Sequence, residues 1–219
     1  MEENEKLKPE NMASAEQPET VPESKEPVPE EKESKGQDFL DLLKDLSYML
    51  AVTILLFLFF FRLAVVDGSS MEPTLYNEDR LLLLSNFLYA DYQAGDVVVV
   101  HEKDFTQEFN LVKRVIAHGG QTVDIDFDAG IVYLDGEPQE EPYVNTPTNL
   151  YEGMDFPVTV PEGKFFVMGD NRNNSKDSRD PEVGFVDRSE IFGRAAVLYF
   201  PGPTANTDKR EFSRIGAVK

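Results

Sequence analysis

Cysteine and tryptophan are both absent from this 219-residue chain, and histidine occurs only twice. Without cysteine there is no disulfide framework, no thiol nucleophile and no thiolate metal site. That is compatible with an extracytoplasmic location but does not establish one. Basic charge is also scarce: 21 Lys and Arg stand against 41 Asp and Glu, for a net charge of −20. The first 45 residues hold 6 Lys and 14 acidic residues, a net −8, and the remainder carries −12. Neither part has the clustered positive charge that nucleic-acid binding requires. Residues 1–35 lack aromatics altogether and are rich in Glu, Pro, Ser and Lys. Such a segment buries too little apolar surface to offset its ordering entropy, so residues 1–37 are expected to be a disordered acidic tail. The acidic start does not have the layout of a signal peptide.

Beyond the tail the chain turns strongly apolar. Phe39, Leu40, Leu42, Leu43 and Leu46 keep helical spacing, and residues 46–61 contain no charge. Sixteen residues make about 24 Å of helix, short of a hydrocarbon core of roughly 30 Å. Extending through Arg62 to Val66 gives about 31 Å, with Arg62 reaching out to the head groups. Phe57, Phe59, Phe60 and Phe61, with no Gly or Pro among them, favour a lipid span over a buried core helix. The expectation is a membrane anchor over 38–66, with its transmembrane helix at about 46–66. Lys35 and Lys44 before the span and Arg62 at its far end give only a slight bias toward an inside N-terminus.

From Arg80 onward the pattern changes to short β-branched or aromatic runs. These lie at 96–100, 111–117, 122–127, 131–134, 164–168 and 195–200, separated by Gly, Pro, Asn and Asp. They predict a mostly β body over 67–219, built of antiparallel hairpins such as one turning at 128–130. No repeat of 20–50 residues is present.

Three segments carry possible chemistry. The first is Gly68-Ser69-Ser70-Met71-Glu72-Pro73-Thr74-Leu75, just beyond the apolar run. Alone it is weak, because most serines in such settings are turn or capping residues. The second is Leu111-Val112-Lys113-Arg114-Val115. Strand alternation puts Lys113 on the side of Leu111 and Val115, with Val112, Arg114 and Ile116 opposite. The third is Gly169-Asp170-Asn171-Arg172-Asn173-Asn174-Ser175-Lys176-Asp177-Ser178-Arg179. A serine hydroxyl needs a base to act as a nucleophile. A lysine amine can serve when neutral. Half-deprotonation near pH 8 requires a shift of roughly 2.4 units from its reference value, about 3.3 kcal/mol, which burial among apolar groups can supply. Taken alone, Lys113 reads as an exposed strand lysine and Ser175 as a plain turn serine.

In order and content, the anchor and these three segments resemble the type I signal peptidases, the Ser/Lys proteases that remove signal peptides from exported proteins. The resemblance covers about residues 40–200. Only 56 residues separate Lys113 from Gly169, which leaves little room for a large inserted domain, so the chain is similar to the compact Gram-positive type. The resemblance implies a signal-peptidase-like β fold, no cofactor and no metal. It implies Ser70 as nucleophile and Lys113 as general base, with Ser175 orienting the lysine amine. Asp170 with Arg114, and Asp177 with Arg179, match pairs that hold the site together. Val66, Met71, Leu75, Leu111 and Val112 match residues lining substrate pockets for small side chains, in an Ala-x-Ala-like pattern. For these five, ordinary core packing is the alternative. Some relatives carry a serine two residues before the nucleophile as a second oxyanion donor. Gly68 occupies that position here, which leaves that donor open.

The implied partners are signal-peptide-bearing preproteins and the lipid bilayer, with no nucleic acid and no obligate protein partner. The implied location is a single-pass cell-membrane protein with a cytoplasmic tail and an extracytoplasmic body. A Ser/Lys protease dedicated to one secreted precursor, or an inactive membrane-anchored interaction protein, are the competing readings. His118 sits in a Gly-rich turn and is not expected to be catalytic. Asp124-Ile125-Asp126-Phe127-Asp128 mimics a calcium loop, but the glycine is displaced to Gly130, position twelve is Asp135, and the interleaved apolar residues favour a strand. Asn173-Asn174-Ser175 satisfies the glycosylation rule and is read as coincidence.

Overall fold

The structure is a computed structural model that describes residues 35–89, 91–101, 110–204 and 207–219. The expected disordered tail lies outside the described residues as far as residue 34. The chain divides into two units, Met1–Asp45 and Leu46–Lys219.

Helix α1 spans Lys35–Phe60, with Asp38 complementing the helix dipole in the first turn. Its stretch Gly36–Phe60 is long and apolar enough to cross a membrane, and no residue of its most apolar window is buried. The expected helix at 46–66 differs at its end. Phe61–Val65 is not helical but forms strand β1. Arg62 accounts for the change: its guanidinium donates to the Phe192 carbonyl at 2.7 Å and lies 4.2 Å from the centre of the Phe192 ring. The charge expected to reach for head groups is held by the body instead, and β1 becomes a sheet edge paired with the next strand.

The further strands are β2 (Arg80–Leu84), β3 (Val97–His101), β4 (Asn110–His118), β5 (Thr122–Asp126), β6 (Ile131–Leu134), β7 (Glu137–Pro138), β8 (Val158–Thr159), β9 (Lys164–Met168), β10 (Val186–Asp187), β11 (Ile191–Phe200), β12 (Pro203–Thr204), β13 (Thr207–Arg210) and β14 (Gly216–Ala217). All six expected runs are strands. The main sheet has the order β1-β2-β11-β3-β4-β9-β10, with β14 added on β11. A second sheet runs β7-β6-β5-β8, and β12 pairs with β13. Every pairing is antiparallel.

The register of β4 builds the site. Lys113 pairs with Val98 of β3, and Arg114 pairs with Met168 at the end of β9. The chain therefore leaves β9 into Gly169 and Asp170 directly beside Arg114. Val97, Val98, Val99 and Val100 are all buried, so β3 is covered on both faces. Each buried valine contributes about 1.5–3 kcal/mol, and this anchors the middle of the sheet.

Candidate active site

Between β1 and β2 the chain makes a compact turn that presents Ser70. Its two ends are tied, with the Val66 N–H donating to the Asp79 carbonyl at 2.8 Å and the Glu78 N–H to the Val66 carbonyl at 2.9 Å. Met71 and Leu75, both 0 % exposed, root the turn in the core. Gly68 has φ +87°, a conformation open chiefly to glycine. The segment after β9 clamps the same turn from the other side. The Asn171 N–H donates to the Ser70 carbonyl at 3.0 Å. The Asn171 amide donates to the Ser69 carbonyl at 3.1 Å and the Asn174 amide to Ser69 Oγ at 3.0 Å.

Lys113 Nζ lies 2.8 Å from Ser70 Oγ and 3.2 Å from the Val112 carbonyl. The lysine is 2 % exposed. The structure thus brings the two expected catalytic groups into hydrogen-bond contact across 43 residues of chain.

The expected supporting pairs form as buried forks. Arg114 Nε and Nη2 donate to the two oxygens of Asp170 at 2.8 and 2.7 Å. Arg179 Nε and Nη2 donate to the two oxygens of Asp177 at 2.8 Å each. Asp170 also accepts from Thr74 Oγ1 at 2.5 Å, which ties the pair to the turn that carries Ser70. Asp177 accepts from the Gly169 N–H at 2.9 Å. Bidentate geometry and extra donors are what offset the desolvation of a buried charge pair.

Ser175 differs from expectation. Its hydroxyl is buried yet has no hydrogen-bond partner among the described residues, so the expected bond to Lys113 is not made. It stands beside Gly169, where a Cβ would fall 2.2 Å from Ser175 Oγ and 2.5 Å from the Ser70 carbonyl. The absence of a side chain at 169 lets Ser175 and the nucleophile turn share one space.

The five expected pocket residues separate. Val66, Met71, Leu75 and Val112 lie in one buried cluster. Leu111 packs with Tyr92, Val98, Val100 and Val115 on the opposite side of the sheet. This is the alternation of β4 at work: adjacent residues 111 and 112 cannot share a face.

Several participants are not singled out by the sequence. Arg172 is 0 % exposed. It donates from Nη1 and Nη2 to Glu141 at 2.6 and 2.5 Å, from Nη1 to Thr148 Oγ1 at 2.9 Å and from Nε to the Gly169 carbonyl at 3.1 Å. It thereby bolts the 141–148 loop to the segment that carries Asp170. The Tyr143 ring lies 3.9 Å from the Arg114 guanidinium carbon, and burial, then the Glu141 charge, pushes its phenol up to about 12. Arg172 lies in plain view within the third segment. Glu141 and Tyr143 are joined to it only by tertiary structure and leave no local signal. Glu152 lies 3.6 Å from Arg179. Burial, then the nearby Asp177 charge, pushes its carboxyl up to about 7.

The rejected motifs have local roles. His118 ends β4, with Nδ1 3.2 Å from the Gly119 carbonyl. Asp126 caps its hairpin by accepting from the Asp128 and Ala129 N–H groups. No metal-holding cluster of three or more His, Asp or Glu occurs among the described residues. Asn173 accepts from the Asn149 and Leu150 N–H groups, so its amide is occupied.

Residues 39–200 match the family model described as signal peptidase, peptidase S26. A signal peptidase I of Bacillus licheniformis is 32 % identical over 78 % of this chain and 94 % of its own length. One from Bacillus amyloliquefaciens is 36 % identical over 78 % of this chain and 93 % of its own. A crystal structure of a signal peptidase I from Enterococcus faecalis is 30 % identical, with a TM-score of 0.39 over 48 % of this chain and 96 % of that one. By the family model and the Bacillus relatives, the chain belongs to the signal peptidase family, peptidase S26, and is an enzyme.

Proposed function

We propose that this chain cleaves signal peptides from exported preproteins after small residues, with Ser70 as nucleophile and Lys113 as general base. The observation that carries the reading is the 2.8 Å contact between a buried amine and Ser70 Oγ. A neutral Nζ takes the proton as Oγ bonds to the scissile carbonyl carbon. The proton then passes to the leaving amine nitrogen as the C–N bond breaks. In the second half, Nζ takes a proton from water, whose oxygen attacks the acyl ester, and returns a proton to Oγ. The tetrahedral oxyanion needs donors. The Ser70 N–H is uncommitted among the described residues, whereas the Gly68 N–H already donates to Asn77 Oδ1 at 2.9 Å. The first oxyanion donor is therefore the Ser70 amide, and the Gly68 amide is not the second.

Substrate binds as an extended strand, over a wall formed by the cluster of Val66, Met71, Leu75 and Val112. Arg114–Asp170 and Arg179–Asp177 hold the loops that carry Ser70 and Ser175, and Ser175 Oγ is free to take the lysine amine during turnover. Helix α1 anchors the protein in the cell membrane as a single pass. The acidic tail is cytoplasmic, and the protease body is extracytoplasmic, starting at β1 rather than at 67. Preproteins and the bilayer are its partners, and no cofactor takes part.

The test is processing of a preprotein by the purified protein in lipid, beside Ser70→Ala and Lys113→Ala. Both variants are expected to be inactive. Normal processing by Ser70→Ala would overturn the assignment.

A further inference from the structure

The family match ends at residue 200, yet the chain beyond it runs back to the candidate active site. Gly202 lies against the end of the nucleophile turn. A Cβ there would meet the Asn77 carbonyl at 1.9 Å, and its N–H donates to Asp79 Oδ1 at 2.6 Å. Arg214 forks onto the same carboxylate, with Nη1 at 3.1 Å from Oδ1 and Nη2 bonded to Oδ2. Its guanidinium carbon is 4.4 Å from the centre of the Tyr76 ring. Strand β14 then pairs with β11, and the Val218 N–H donates to the Ala196 carbonyl at 3.0 Å. The Val218 side chain enters the cluster of Met71, Leu75 and Val112. Finally, the Lys219 carbonyl accepts from Arg114 Nη2 at 3.1 Å, the nitrogen that also holds Asp170 at 2.7 Å.

We propose that residues 214–219 are a positioning strap that sets the distance between Ser70 Oγ and Lys113 Nζ; this rests on the reading of that pair given above. The strap touches the turn that carries Ser70 and the residue beside Lys113. Arg214 and Val218 fix the turn that carries Ser70. The Lys219 carbonyl steadies Arg114, which adjoins Lys113 on β4. Asp79 is 0 % exposed, so loss of Arg214 leaves a buried carboxylate without its cation. Loss of Val218 opens a void beneath Met71 and Leu75. Either change lets the turn shift relative to β4. A misplacement of about 1 Å costs on the order of 100-fold in rate. Arg214 holds Asp79 and lies over Tyr76, outside the proposed substrate wall, whereas Val218 packs against Met71, Leu75 and Val112 within it. The signature is a fall in kcat for both residues, with little change in KM for Arg214.

The experiment uses the full chain in phospholipid vesicles, acting on a preprotein below the melting midpoint of every variant. Arg214→Ala, Arg214→Lys and Val218→Ala are compared with wild type and with Ser70→Ala. Arg214→Ala and Val218→Ala are expected to lower kcat about tenfold or more, with the KM of Arg214→Ala within about twofold of wild type. The acid limb of the kcat–pH profile should also move, because the spacing of the pair has changed. Arg214→Lys, which keeps the charge without the fork, should recover part of kcat. If Arg214→Ala does not fold, Arg214→Lys and Val218→Ala carry the comparison. A kcat within about twofold of wild type in both folded variants, or a loss lying wholly in KM, overturns the strap. An active Ser70→Ala overturns the catalytic pair first and the strap with it.

Discussion

Gly169 and Ser175 occupy one space: a Cβ at 169 would stand 2.2 Å from the Ser175 hydroxyl oxygen. The same atom would press on the Ser70 carbonyl at 2.5 Å, so a single methyl group there pushes on both sides of the site. Gly169→Ala is expected to cost about 1–3 kcal/mol of stability through overpacking. Its kcat should fall about 100-fold, since the nucleophile turn must shift. Thermal melts and steady-state kinetics on one preparation check both. Wild-type kcat would mean the turn accommodates the methyl group without moving Ser70.

Lysine as the base requires the unprotonated amine. Toward acid pH, log(kcat/KM) should fall as the amine takes up a proton, and wild-type protein at a series of pH values would display this. Lys113→Met keeps the stem and removes the base, and is expected to lose about 100-fold or more. A profile flat into acid would count against the assignment.

Asp170 and Arg114 are both almost fully buried, at 0 and 2 % side-chain exposure. Asp170→Ala leaves a guanidinium without its counter-charge and should cost about 3–5 kcal/mol. Arg114→Lys retains charge but loses the fork, the contact with the Tyr143 ring and one of the two bonds to Asp170, and is expected to fail as a substitute. Denaturant unfolding of the two variants measures the difference.

Glu152 makes stability pH-dependent in a direction opposite to that of a salt-bridged acid. Its carboxyl is pushed up from the usual 4.5 to about 7, by burial first and the Asp177 charge second. The folded state therefore holds this proton more tightly than the unfolded state does. The resulting stabilisation is complete below about pH 4.5 and is lost as pH rises through about 7. Glu152→Gln should flatten that part of the curve, so that its melting midpoint exceeds that of wild type at pH 8 but not at pH 5. Parallel curves would refute it.

The legible parts of the fold are those written in local pattern. Valine-rich β3 and the alternating β5 and β6 need only their neighbours in sequence. Ser70, Lys113 and both Arg–Asp forks lie within short segments that stand out in the sequence. Strand β1 is not, because an apolar run with one arginine suits a lipid span as well as a sheet edge, and only Phe192, 130 residues away, decides between them. Leu111 falls into one group with Val112 by family resemblance, although alternation separates them. Glu141, Tyr143 and Arg214 reach the site from distant loops, and no local spacing announces such contacts. The unpaired Ser175 hydroxyl is likewise a property of the packed state.

Helix α1 ends at Phe60 and β1 begins at Phe61, with no residue between them. Arg62 then fastens that junction to β11. Ser70 is ten residues beyond Phe60, on a path tied down at Arg62 and, by Glu78 and Asp79, at Val66. On the function proposed above, so short a path from the end of the helix would make the choice of bond partly a matter of reach: a scissile bond held too far from the serine is missed, however well its side chains suit the pocket.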